Sequence, residues 1–304
     1  MKRLVAFLIV LGLGGAALYF SQRRQQPTPV SSNAIVAMVA DAQRDITRAP
    51  MRLTRLSDNE EIAIGNQLAQ QYAVSTEKLS PEDQALESYV QRVGNTVALH
   101  AHRRLPYSFH LLPDRAMINA FSLPGGGVYV GEGLLDLMTS EDQLAAVLGH
   151  EVEHIDHYHC AERIQIEAQL RHLNLDILGE LVNALLQIPL SVWEAGYNKD
   201  EELEADREGM RLAVLGGYSP YGAVSLFEKF GKLQKEYVIH AQSPEQELSD
   251  LAIQSLEGYF RSHPQPSERL AQANSLIVEE GWQDRKKQQP FRIEYEVHNG
   301  KYVK

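Results

Sequence analysis

Cysteine is nearly absent from this sequence: Cys160 stands alone among 304 residues, so no disulfide can form within the chain. Basic residues are also outnumbered, since 29 Lys and Arg against 40 Asp and Glu give a formal net charge of −11. A protein that binds nucleic acid needs a basic face to neutralise phosphates, so this balance argues against DNA or RNA as a partner. An internal repeat of useful length is absent too, which argues against a repeat architecture.

Long apolar runs are missing everywhere except residues 4–20, which follow Lys2 and Arg3. The run is at the short end for a membrane span and also fits the core of a signal peptide. Either interpretation predicts that the rest of the chain is exported. The first also predicts that the protein contacts the membrane through this N-terminal segment.

The remaining sequence divides by composition. We expect an anchor or signal peptide at 1–24, a proline-containing linker at 25–54, a folded domain at 55–285 and a C-terminal tail at 286–304. An Asn-Gly pair in the tail predicts a β-hairpin. Within the domain, helical periodicity dominates and three short strand-like runs surround a Pro-Gly-Gly-Gly turn. The predicted fold class is therefore α+β, mainly helical, with a small antiparallel sheet.

The strongest chemical signal is the segment His150-Glu151-Val152-Glu153-His154, which reads HExxH. Residues four apart share one face of a helix, so His150 and His154 can present two imidazoles to one metal ion. Glu151 lies one step round the helix, where a general base could activate a water molecule. An ordinary buried helix with two histidines is the alternative.

A catalytic zinc site needs a third protein ligand. The pattern HExxHxxGxxH would supply a histidine after a glycine turn, but His157 and Cys160 occupy the glycine and histidine positions. Glu202 and Asp206 are four residues apart on a predicted helix and fit a ligand with a second carboxylate that orients the site. An exposed acidic helix start is the alternative, and the HExxH segment upstream favours the metal site.

Four segments in this order resemble the motifs of the zinc metallopeptidase family that includes the CAAX prenyl proteases, the HtpX heat-shock peptidases and the periplasmic BepA- and LoiP-type peptidases. They are Asn119-Ala120-Phe121 with Leu123-Pro124-Gly125-Gly126 and Gly133-Leu134-Leu135; Leu144 to His154; Glu202 to Gly209 with Gly217-Tyr218; and His263-Pro264 with Arg269.

The resemblance implies a gluzincin-type domain in which His150, His154 and Glu202 bind one Zn²⁺ per chain. It further implies Glu151 as the base and Asp206 as the carboxylate that orients the site. His263 would lie near the metal, either as a gating ligand or as a donor to the oxyanion, with Arg269 supporting it.

The implied function is an exported zinc endopeptidase that hydrolyses misfolded or misassembled envelope proteins through a zinc-activated water. The alternative is a chaperone-like quality-control factor whose zinc site is mostly closed. The implied location is the bacterial cell envelope, facing the periplasm, with the chain anchored in the inner membrane by residues 4–20 or released after signal cleavage. We expect a protein or peptide substrate to lie extended along an edge strand near Val128–Val130.

Overall fold

A computed structural model describes residues 56–76, 79–170, 197–240, 263 and 265–291. The chain divides into the units Met1–Thr54 and Arg55–Lys304, and every described residue belongs to the second. Helices dominate the described part, as the sequence predicts. They are α1 (Asp58–Thr76), α2 (Pro81–Ala98), α3 (Glu132–Asp136), α4 (Glu141–Asp156), α5 (His159–Leu170), α6 (Lys199–Leu215), α7 (Tyr221–His240) and α8 (Pro266–Glu279); the strands are β1 (Ser108–Leu112), β2 (Ala120–Ser122) and β3 (Gly127–Gly131).

Polar side chains begin the helices that build the site. Ser140 caps α4 by accepting a hydrogen bond from the backbone N–H of Gln143, which satisfies one of the free donors at a helix start. Asn198 and Glu201 form a reciprocal capping box at the start of α6. Both helices therefore begin at defined residues, and this fixes the register of the functional side chains along them.

The sheet is mixed rather than antiparallel, which corrects the prediction. Its strand order is β1-β3-β2, with β1 parallel to β3 and β2 antiparallel to β3. The predicted Pro-Gly-Gly-Gly turn joins β2 to β3, and Gly125 (φ 80°) and Gly126 (φ 130°) supply its left-handed conformations. The short apolar runs in the sequence identified the three strands, but they did not indicate the order of the strands within the sheet.

This strand order also overturns the expected substrate position. Val128–Val130 belongs to β3, which is paired on both sides. A strand that already has two neighbours cannot accept a peptide as a third. Of the two strands that flank it, β2 is the one that packs beside α4.

Helices α4 and α6 cross at a glycine–glycine contact. A Cβ added to Gly149 would lie 2.4 Å from the carbonyl oxygen of Gly209, and one added to Gly209 would lie 2.5 Å from the backbone nitrogen of His150. Only glycine permits so close an approach of two helix backbones. The contact lies directly before His150 and therefore brings the HExxH segment against the acidic face of α6.

The first residues of the predicted C-terminal tail pack against the start of α4. The backbone N–H of Glu141 donates to the carbonyl of Gln289 at 2.9 Å, and the N–H of Gln289 donates to Asp142 Oδ2 at 2.5 Å. The predicted hairpin beyond residue 291 lies outside the described residues, as do segments 1–24 and 25–54. In the part of the chain that the structure describes, no helix combines the length and apolar character that a membrane crossing requires.

Candidate active site

Helix α4 places both histidines of the HExxH segment on its buried face. His150 and His154 are 4% and 1% exposed, and their Nε2 atoms lie 3.0 Å apart. Glu151, which is 3% exposed, lines the same pocket as His150. The one-turn spacing therefore produces the convergence that the sequence predicts.

Glu202 on α6 is the acidic residue that reaches the two histidines. Its Oε2 lies 3.4 Å from His150 Nε2 and its Oε1 lies 3.7 Å from His154 Nε2. The carboxylate is fully buried and accepts a 2.8 Å hydrogen bond from the backbone N–H of Tyr197. The predicted set of His150, His154 and Glu202 thus meets at one point.

Asp206, one turn after Glu202, holds the outer nitrogen of His150. His150 Nδ1 lies 2.9 Å from Asp206 Oδ1. Arg269 on α8 grips the same carboxylate through Nε at 2.7 Å and Nη2 at 2.5 Å. Arg269 therefore supports the site through Asp206, whereas its predicted support of His263 stays a prediction.

His263 lies beside the cluster and lines the pocket that contains Glu151. Its Nδ1 is 2.5 Å from Glu202 Oε2, and ligand atoms of His150, Glu202 and His263 all lie within 4.8 Å of one another. This position is compatible with both sequence-based alternatives, a gating ligand and a donor to a developing oxyanion.

The donor set fits a metal cation. Because His150 Nδ1 faces the Asp206 carboxylate, Nε2 is the ring atom left to bind a metal, and it lies 3.0 Å from His154 Nε2. Two imidazole nitrogens and a carboxylate that converge in a buried space are the ligands that Zn²⁺ prefers. A cation between them would satisfy all three.

The electrostatics of the pocket also favour a positive charge. Burial alone would lower the pKa of His150, but hydrogen bonds to Asp206 and Glu202 raise it to about 10, so without a metal the ring is protonated and a metal would take the place of the Nε2 proton. Burial would raise the pKa of Glu202, but His263 and His150 hold it well below its usual range. For Glu151 burial prevails and raises the pKa of the carboxyl to about 7. The Glu202 carboxylate is thus ionised and attracts a cation.

A small pocket opens beside Glu151 and His150. Most of its lining is apolar and comes from the sheet and from α3, α4, α6 and α7: Ala120, Leu134, Ala146, Val147, Met210, Ala223, Leu226 and Phe227. An apolar recess next to a candidate base is a place where a substrate side chain would contact the enzyme.

Sequence reasoning missed two residues that contact the ligands. The Tyr197 ring stacks on His154 with centroids 3.9 Å apart, while its backbone holds Glu202. His159 Nδ1 lies 2.9 Å from His154 Nδ1. Neither residue belongs to a periodic pattern with the ligands, and the only signal for Tyr197 is its position directly before the capping residue of α6.

Sequence comparisons identify similar proteins that are peptidases. A beta-barrel assembly-enhancing protease of Yersinia pestis is 27% identical over 234 residues, which are 72% of this chain and 44% of that protein. The mitochondrial metalloendopeptidase OMA1 of Arabidopsis thaliana is 31% identical over 173 residues, 55% of this chain and 31% of the relative. OMA1 of Schizosaccharomyces pombe is 33% identical over 160 residues, 50% of this chain and 46% of the relative. The chain thus spans less than half the length of each.

The family comparison covers the region that forms the site. A model of peptidase family M48 matches residues 82–277, which is more than half of the chain. The matched region runs from α2 into α8 and includes the HExxH helix, Glu202, Asp206, His263 and Arg269. The chain belongs to peptidase family M48.

Proposed function

We propose that this protein is a zinc-dependent endopeptidase with a gluzincin-type site. The observation that carries the proposal is the convergence of His150 Nε2, His154 Nε2 and the Glu202 carboxylate beside Glu151. Purified protein is expected to degrade casein, to lose this activity with a chelator and to regain it with Zn²⁺. Chelator-resistant degradation by a metal-free sample would refute the proposal.

Each residue of the site has a separate role in the proposed hydrolysis. Bound zinc would supply a Lewis acid that polarises the peptide carbonyl and acidifies a water molecule. Glu151 takes the proton from the attacking water and passes it to the leaving amine. His150, His154 and Glu202 would hold the metal. Asp206 orients the ring of His150 through its Nδ1, and Arg269 donates hydrogen bonds to the Asp206 carboxylate.

The outer edge of β2 is the proposed position for an extended substrate. Asn119 accepts a hydrogen bond from Gly131 and Leu123 donates one to Gly127, so these residues face β3. Because hydrogen-bonding direction alternates along a strand, the backbone groups of Ala120 turn away from β3. Ala120 also lines the pocket that contains Glu151. A peptide that pairs with β2 would therefore pass the base.

The apolar pocket is proposed to select the substrate side chain next to the scissile bond, and this can be tested at Val147. The Val147 side chain is partly exposed and lines the pocket from α4. Val147→Phe should fill part of the space and shift cleavage of a peptide library towards small residues at one position. Val147→Ala should shift it towards larger ones. Unchanged preferences in both variants would place the substrate elsewhere.

A second candidate function is a chaperone-like factor with a mostly closed zinc site, and the position of His263 favours it. His263 lies within ligand distance of the cluster and would fill the coordination position that catalysis needs open. We therefore expect His263→Ala to raise the cleavage of a small fluorogenic peptide. A fall of about 10²–10³-fold would instead identify His263 as an oxyanion donor. An unchanged rate would exclude both roles.

We also propose an envelope location and envelope-protein substrates. The apolar residues 4–20 and the similarity to beta-barrel assembly-enhancing proteases support this proposal. The segment 4–20 lies outside the described residues, so anchoring and signal cleavage remain alternatives. Cell fractionation followed by N-terminal sequencing of the mature protein separates them, and recovery of an intact chain from the cytosol would contradict export.

A further inference from the structure

The Nδ1 atoms of the two ligand histidines contact different chemical groups. His150 Nδ1 meets a carboxylate, Asp206, at 2.9 Å, whereas His154 Nδ1 meets a second imidazole, His159 Nδ1, at the same distance. His159 is 1% exposed and begins α5. His154 therefore depends on the protonation pattern of another ring.

Hydrogen-bond counting fixes that pattern once His154 Nε2 binds a metal. A metal-bound Nε2 needs its lone pair, so the single proton of His154 must sit on Nδ1. That Nδ1–H can donate to His159 only if His159 Nδ1 carries a lone pair. The neutral His159 ring must then carry its own proton on Nε2.

A carboxylate lies near the far nitrogen of the His159 ring. His159 Nε2 is 3.5 Å from Glu204 Oε2, and the two side chains are 0% and 19% exposed. An acceptor with a negative charge favours the Nε2–H form of His159 over the reverse tautomer. The helical spacing directs Glu204 away from Asp206 and towards His159. His159 in turn contacts His154, the second ligand histidine.

The backbone turns sharply to bring His159 back to His154. Helix α4 ends at Asp156, and Tyr158 adopts a left-handed conformation with φ 65°. Non-glycine residues rarely adopt this conformation. The guanidinium of Arg103 stacks over the Tyr158 ring at 3.8 Å and holds the turn. The result resembles the return of a third histidine in HExxHxxGxxH sites, but His159 contacts the ligand rather than the metal position.

We infer that His159, with the Glu204 carboxylate beside its far nitrogen, holds His154 in its metal-binding tautomer; these two contacts together are called the relay. The inference rests on the proposed zinc site and assigns to both residues a positioning role. His154 Nδ1–H donates to His159 Nδ1, and the Nε2–H of His159 faces Glu204 Oε2 at the ion-pair distance of 3.5 Å.

The tautomer of His159 is the direct test. In zinc-loaded protein labelled with ¹⁵N-histidine, long-range proton–nitrogen correlation spectra should show His159 with a proton on Nε2 and a bare Nδ1. Spectra of His159→Asn identify the signal. A His159 ring with its proton on Nδ1, or with protons on both nitrogens, would overturn the relay.

Zinc affinity of paired variants is the second test. His159→Asn places a carbonyl oxygen near the former Nδ1 and should retain affinity within a few-fold. His159→Leu has a similar shape without an acceptor and should lose about 10–100-fold, the usual cost of removing such a partner. Glu204→Gln should lose less, because its contact is the longer one. His102→Leu, at an exposed ring, is the control.

The outcomes separate this inference from the proposed function. Competition with a chelator of known affinity measures zinc binding without any need for activity. If the parent protein binds no zinc, both proposals are wrong. If the parent binds zinc and His159→Leu binds it equally well, only the relay is wrong. Equal losses in His159→Asn and His159→Leu would also refute it, since the acceptor would then be irrelevant.

Discussion

Replacing Glu151 with glutamine is expected to abolish peptide cleavage while the metal stays bound. The amide preserves the shape of a side chain that is 3% exposed beside His150, but it cannot accept a proton from water. Loss of a general base typically costs about 10²–10⁴-fold in rate. Peptide hydrolysis and zinc content, measured on the same preparation, check the two halves of the prediction.

Glu153 provides a matched control for this variant. It is a fully buried glutamate on the same helix, but its carboxylate pairs with His157 at 2.9 Å rather than with the ligand cluster. Glu153→Gln should therefore retain most of the activity. Near-normal hydrolysis by zinc-bound Glu151→Gln would remove Glu151 as the base.

The parts of the site that depend on helical periodicity could be predicted from the sequence. His150 and His154 converge because residues four apart share a face, and Asp206 follows Glu202 onto its face for the same reason. The mainly helical fold and the family are confirmed as well. The placement of these side chains depends only on neighbouring residues of one helix, so the spacing of the residues in the sequence is enough to predict it.

The features that were missed depend on contacts between distant segments. The order of three short strands is set by packing, so Val128–Val130 looked like an available edge although β3 is central. The pairing of Arg269 with Asp206 requires α8 to lie against α6. The return of His159 depends on a left-handed tyrosine, a conformation that no local preference for tyrosine predicts.

Glu202→Ala is expected to abolish tight zinc binding. Glu202 supplies the only carboxylate among the three predicted ligands, and its oxygens lie 3.4 and 3.7 Å from the two histidine Nε2 atoms. Removing a ligand should cost more than the roughly 10–100-fold that loss of an outer partner costs. Glu202→Gln should show most of this loss as well, because it keeps the volume but removes the charge that favours a cation.

Two variants on the same helix test whether the loss is specific. Glu201 accepts a 3.2 Å hydrogen bond from the backbone N–H of Asn198 at the helix start, so Glu201→Ala should keep full zinc. Asp206→Ala should bind zinc more weakly but still measurably, since Asp206 acts through His150. Atomic emission measures the metal content of each purified variant, and circular dichroism confirms that it is folded. Full zinc in a folded Glu202→Ala protein would show that the third ligand comes from elsewhere, with His263, already within 4.8 Å of His150, as the first residue to replace next.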